Sequence, residues 1–448
     1  MKQTQYVKRY LCGITLEATT PIAAGSGTEN ILTDSLVALD YNGLPYIPAT
    51  SIAGVVRHTL NGTDAKDLMG YQDEDKGQGS NVIFTEAKIL DSKGIPVDGF
   101  ALERKTKDPL LREYAQLPIR QHVRINERGT AEKGGKFDNQ IVYAGSRFYF
   151  EVEILLTKEQ NETSAQKILD IVQGKEFRLG GGTRNGYGKV TVVSMKKLFL
   201  NLETPAQLQL YLDKPSNLEQ SLAWKKWEAE TPQTKSGFGT KYELTLIPDN
   251  FFLFGSGMGN ENVDMAPVKE KKVIWTGENG TLSDEMTLIP ATSVKGALRH
   301  RTVYYYNKNL GRFADRWNGE VENLAEEADN VLFGYETADI QKPGVLFFDD
   351  VIEHNLGGKI LNHVAIDRFT GGALEGALFD EEPLYGDQKK FSMEILLKGE
   401  VKPAYKEAFE MALRDLCQGL LPLGGGVNRG NGVFTGILRI NGEEQTWE

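Results

Sequence analysis

A twelve-residue stretch, IPATSIAGVVRH at Ile47–His58, returns as IPATSVKGALRH at Ile289–His300, with eight of the twelve positions identical. Two further pairs keep the same order. GSGTEN at Gly25–Asn30 answers to GSGMGNEN at Gly255–Asn262, and LGGGTRNGYG at Leu179–Gly188 answers to LGGGVNRGNG at Leu423–Gly432. Matched segments in matched order mean a duplicated domain. Whatever fold this chain adopts, it must adopt it twice.

The segments between these markers also correspond. Leu68–Leu90 matches Leu332–Ile352, each with a Leu-x-Gly-Tyr element, a polar turn and a strand. Residues 121–154 match 362–396, each running from a His-Val pair through a Gly-rich insertion into a strand. Residues 10–20 and 241–248 alternate apolar and polar positions as half-buried strands do. Helices are expected within Ile47–His58, following Thr50 or Ser51 as N-cap, at Thr163–Gln173 and at Pro403–Gln418. Each half therefore reads strand, helix, strands, helix, strand. That is an α+β, ferredoxin-like (RRM-like) order in two tandem domains, 1–200 and 241–448. Residues 201–240 fit neither repeat and read as a linker that packs partly on one domain, with Trp224 and Trp227 on a charged piece.

No apolar run reaches the ~20 residues that a bilayer-spanning helix needs, and the start, MKQTQYVKRYLCG, lacks the pattern of a signal peptide. Cys12 and Cys417 are expected as reduced core residues of a cytoplasmic protein. The net charge of −11 argues against a free-standing nucleic-acid binder. It leaves room for a subunit that is acidic overall and basic along one groove.

The Gly-rich loops lack the Gly-Lys-Ser/Thr ending of a nucleotide-binding P-loop. Glycines at Gly181, Gly182, Gly425 and Gly426, with Arg184 and Arg429 beside them, suit contact with a phosphate backbone. A helix N-terminus bearing Ser51 or Ser293, followed by Arg57 or by Lys295 and Arg299, is a second anion-binding pattern. The insertions contribute Arg124 and Arg128 in one half and Arg368 in the other. Asp34 and Asp264 each follow their GSG loop. A carboxylate of ordinary pKa is a weak base at neutral pH, so these aspartates are expected to hold a hydrated metal ion or to orient a nucleophile rather than to act as strong bases. A rival chemistry uses histidine. His58 pairs with His300 and His122 with His363, and any of them could act as general base toward a ribose 2′-hydroxyl.

The full set of motifs, IPATSVKGALR, LFGYE, GVLFFDDV, AIDRFTGGALEGALF and LGGGVNRGNG in order, resembles the RAMP superfamily. It is most similar to the backbone subunits of type III CRISPR effector complexes, in the tandem form of subtype III-D. The first half departs most in its insertion, where RINERGTAEKGGKF stands for IDRFTGGALEGALF. The resemblance implies that each RRM-like core grips CRISPR RNA and each insertion forms a thumb hairpin. It implies that Asp34 and Asp264 cleave target single-stranded RNA with a divalent metal. It also implies neighbours, namely other RAMP subunits and a large subunit, and no membrane. Asp264 lies 26 residues before Pro290, against 14 from Asp34 to Pro48. Two alternatives stand beside this reading: a structural backbone that only holds guide RNA, and a histidine-dependent RNA-processing nuclease.

Overall fold

The computed structural model describes residues 5–29, 33–60, 62–73, 76–126, 130–233, 235, 239–312, 326–336 and 340–447. Its architecture is mixed α+β with antiparallel sheets. In the first half the long strand Tyr6–Ala18 lies between Arg147–Thr157 and Val190–Asn201. In the second, Gly239–Pro248 lies between Phe391–Lys398 and Phe434–Ile440. Each central strand is thus flanked by the strand after the insertion and by the strand after the Gly-rich loop.

Alternation along the strands builds the two cores. Tyr10, Cys12, Ile14 and Leu16 face the helices, where Ile52, Val56, Ile168 and Leu169 meet them. Tyr242, Leu244 and Leu246 do the same against Val294, Leu298, Phe409 and Leu413. In helix Pro403–Cys417 the stripe Ala408, Phe409, Ala412, Leu413 and Leu416 is fully buried, and the proline takes the first turn, where its missing N–H costs nothing. Cys12 and Cys417 are free, buried thiols whose pKa is pushed up by burial.

The helices of the repeated IPATS segments start earlier than expected. They run Ala49–Thr59 and Ala291–Asn309, with Pro48 and Pro290 at the N-cap and no side-chain capping bond. Thr50 and Ser51 therefore sit in the first turn and cap nothing. The prolines hold the extended backbone that precedes each helix.

The segment after the first half packs on it. Helices Pro205–Leu212 and Leu218–Leu222 cover the outer face of the first sheet, and the strand Glu228–Glu230 extends its edge by pairing with residues 195–197. Leu11, Leu198 and Leu200 are buried there against Tyr211, Trp224 and Trp227. The corresponding face of the second sheet is polar and held by ion pairs of Lys241 with Glu243 and Glu394.

The two insertions are hairpins, Ile119–Ile125 with Ala131–Gln140 and Leu361–Ile366 with Ala373–Glu381. The first is rooted in the other half. Arg120 is buried between Glu270, at 2.6 Å, and Asp350. Arg178 meets Asp349 at 2.6 Å, and Lys189 meets the same carboxylate at 2.7 Å. Trp275 donates its indole N–H to the Gly145 carbonyl at 2.7 Å, and the Arg147 guanidinium lies 4.3 Å from its ring. Burial opposes the charge on Arg120, but Asp350 and Glu270 outweigh it and hold its pKa well above the ordinary value. Burial raises Asp350 to about 6, with Arg120 pulling it back down.

Candidate nucleic-acid interface and acidic stations

Asp34 is exposed and sits against the root of the first hairpin. Its backbone N–H donates to Asp138 Oδ1 at 2.9 Å, and the Asp138 N–H donates to Asp34 Oδ2 at 2.9 Å. The second half repeats half of this exchange: the Asp380 N–H donates to Asp264 Oδ2 at 3.0 Å. Short parallel bridges, Ser35 with Asn139 and Met265 with Glu381, fix the same register in both. Each loop aspartate thus has a hairpin aspartate as partner, which inspection of the chain alone did not find. A matched Phe-Asp step, Phe137–Asp138 and Phe379–Asp380, was the available signal.

The twelve extra residues after Asp264 leave this register unchanged. They are accommodated in a strand pair, Val273–Thr276 with Asn279–Leu282, whose Trp275 enters the contact between the halves.

The donor set fits a hard divalent cation. Asp34 with Asp138, and Asp264 with Asp380, offer only carboxylate oxygens, and Asp380 Oδ1 is buried without a hydrogen-bond partner. Among the described residues no three His, Cys, Asp or Glu side chains come together to enclose a metal unaided.

The histidines at the hairpin roots are occupied. His122 stacks on Phe137 at 4.9 Å between centroids, and its Nε2 meets the Tyr187 hydroxyl at 2.7 Å. Burial, helped by the charge of Arg120, lowers its pKa to about 4, so the ring is neutral at neutral pH. His363 stacks on Phe379 at 4.9 Å and pairs with the buried Glu381 at 2.9 Å. His58 and His300 are exposed on their helices.

The Gly-rich loops spend many of their donors internally. Gly181 and Gly425 donate to the carbonyls of Ala23 and Leu253, both at 2.7 Å. Gly182 and Gly426 sit at the turns, with positive φ. Arg184 donates to the Gly344 carbonyl at 2.5 Å and its guanidinium lies 4.6 Å from the Phe347 ring, inside the contact between the halves. Lys295 donates to Asn185 Oδ1 at 2.9 Å, and burial, with Arg299 and Arg184 nearby, lowers its pKa to about 8. Arg299 forms a bidentate pair with Asp329, both bonds at 2.7 Å. Arg429 pairs with Glu381 at 2.5 Å, and Arg57 donates to the Met69 carbonyl at 3.1 Å. Ser51 and Ser293 lie in the first turns of their helices.

Arg124 and Arg368 are exposed cations of the hairpins, as are Lys133 and Lys136. The Arg124 side chain is 64% exposed, only 3.9 Å from Glu132. Arg368 stands in a turn stabilised by Asp367, whose Oδ1 accepts from the N–H groups of Phe369 and Thr370. Those bonds lower the Asp367 pKa. Phe369 is 99% exposed at that turn. Arg128 lies outside the described residues.

Sequence and geometry together define a class: a duplicated α+β protein in which each copy sets a carboxylate pair at the root of a hairpin, close to a Gly-rich loop. The RAMP superfamily model matches residues 15–191 and 252–435, one stretch in each half. The chain belongs to the RAMP superfamily. It is similar to the CRISPR system Cms endoribonuclease Csm3 of Methanocaldococcus jannaschii, 30% identical over 189 residues. That match covers 38% of this chain and 73% of the relative, so the relative spans roughly one repeat. Among the described residues no helix is long and apolar enough to cross a membrane.

Proposed function

We propose that this chain is a CRISPR RNA-binding backbone subunit of a type III effector complex, and that it cleaves target RNA paired to the guide. In this reading each half is a ferredoxin-like (RRM-like) domain, 1–200 or 241–448, and each hairpin is its thumb. The relative named an endoribonuclease and the superfamily match support the assignment. The observation that carries the cleavage step is the twofold recurrence of a loop aspartate bonded to a thumb-root aspartate.

Chemically, Asp34 and Asp264 would hold Mg2+ together with RNA phosphate oxygens, with Asp138 and Asp380 setting their orientation. The bound ion would supply Lewis-acid activation at the scissile phosphate. The exposed Arg124 and Arg368, the helix starts near Ser51 and Ser293, and the Gly-rich turns with Arg429 would meet the RNA backbone. Guide pairing would supply sequence specificity, so the protein needs to read shape rather than bases. Other RAMP subunits and a large subunit complete the assembly, which sits in the cytoplasm.

The test is target-RNA cleavage by the assembled complex with Mg2+, using Asp34→Ala, Asp264→Ala and the double variant. Loss of cuts with RNA binding retained is expected. Unchanged cutting by the double variant would leave the chain as a structural backbone. Cutting that survives EDTA but not His58→Ala or His300→Ala would favour the histidine mechanism.

A further inference from the structure

Each side of the contact between the halves has a counterpart in the opposite half that makes no such contact among the described residues. In the first half Tyr46 pairs with Lys88 and Ile47 with Ala87; in the second Leu288 pairs with Ile352 and Ile289 with Val351. This register superposes Glu86 on Asp350, Thr85 on Asp349 and Ile83 on Phe347. The loops superpose through matched bonds, Leu179 to the Gly188 carbonyl and Leu423 to the Gly432 carbonyl. Gly186 then falls on Gly430 and Arg178 on Pro422.

The used and unused copies differ sharply. A Cβ at Gly186 would lie 2.2 Å from Asp350 Oδ1, while one at Gly430 would meet nothing within 4 Å. Phe347 is 4% exposed beneath Arg178 and Arg184, whereas Ile83 is 51% exposed. Glu86 is open and, among the described residues, its carboxylate pairs with Lys88 at 2.6 Å, a contact that a better-placed guanidinium could replace at little cost. The first half therefore presents an empty version of the seat that its own loop fills on the second half.

The chain's own second loop does not suit that seat. Arg120 and Arg178 carry the internal contact by pairing with Asp350 and Asp349. Their counterparts are Leu361 and Pro422, and Arg429 is already bound by Glu381. A second copy would bring no free guanidinium to Glu86 from those positions. A head-to-tail contact of this kind, repeated between identical copies, would make an open filament.

We propose that the face formed by Ile83 and Glu86 docks the Gly-rich loop of a different RAMP-family subunit, one with an arginine beside that loop. The chain does not stack on itself there. This rests on the assembly proposed above.

The test places the photo-cross-linker p-benzoylphenylalanine at position 83 of the tagged chain and purifies the assembly from cells. A cross-link to a Gly-rich loop of another RAMP-family chain is expected, and adding Glu86→Lys should abolish it. A cross-link to residues 423–432 of a second copy, or to no Gly-rich loop, overturns the proposal while the assembly itself stands. Purification with no RAMP-family neighbour would overturn both. The isolated chain should sediment as a monomer; self-association lost with Ile83→Asp would also overturn the proposal.

Discussion

Asp34 and Asp138, far apart in sequence, each accept the other's backbone N–H at 2.9 Å. The exchange locks the loop carboxylate to the hairpin root. Asp138→Ala removes the acceptor for the Asp34 N–H and frees the loop. Misplacement of a catalytic group on the ångström scale costs as much as about a hundredfold. Cleavage attributable to the first site is therefore expected to fall at least roughly tenfold, with guide-RNA affinity unchanged. Asp138→Asn, which keeps an acceptor oxygen, should retain more activity than Asp138→Ala. Equal rates for the two variants in single-turnover assays would count against the positioning role.

Arg120 answers two carboxylates, Glu270 and Asp350, across the contact between the halves. Arg120→Met leaves both acids buried without their partner. Breaking a buried pair from one side costs about 3–5 kcal/mol. Urea denaturation should report a loss of that order. Adding Asp350→Asn should restore part of it, and a lack of such recovery would show that the two residues are not coupled.

His122 gives the fold a dependence on acid. Its pKa is lowered to about 4 in the folded chain, against 6.5 for the free side chain. Between those values the unfolded chain binds a proton that the folded chain refuses, so stability falls as pH drops from about 6.5 toward 4. Asp350, raised to about 6, contributes with the opposite sign, losing stability as pH rises through that value. The difference between wild type and His122→Gln isolates the histidine. Melting temperatures across this window should fall less steeply toward acid in the variant, and parallel curves would refute the assignment.

The arginines should separate into two groups. Arg124 and Arg368 are exposed on the hairpins. Replacing either by Ala should reduce the salt dependence of RNA binding by about 0.7 for each single-strand phosphate that the arginine neutralises. Arg184 is tied to Gly344 and Phe347, so Arg184→Ala should lower thermal stability first. An Arg184→Ala variant with wild-type melting and a reduced salt slope would instead assign it to phosphate.

Much of the layout was legible because repetition is itself a signal. The helices with buried Ile52 and Val56 and the stripe from Ala408 to Leu416 follow from local pattern, whereas the insertions were placed by the repeat and their hairpin form was implied by the family resemblance alone. What escaped are contacts between distant residues. Asp138 reaches Asp34 across 104 positions, and Arg120 reaches Asp350 across 230, and neither spacing leaves a periodic trace. Local reasoning also favoured a hydroxyl N-cap at Thr50 or Ser51, but the prolines set the start of each helix earlier. The Gly-rich loops looked like open donors, yet Gly181 and Gly425 donate to the Ala23 and Leu253 carbonyls of their own halves.

The contact between Gln121 of the first hairpin and Met258 of the second half's GSG loop, at 3.4 Å, has a further consequence. The first hairpin leans on the loop that leads to Asp264, and the Arg120 cluster holds both in place. The two acidic stations are thus tied to each other through the contact between the halves. If both cut, the fragment between them has a length set by the protein's skeleton, and it will not vary with the sequence of the RNA being measured.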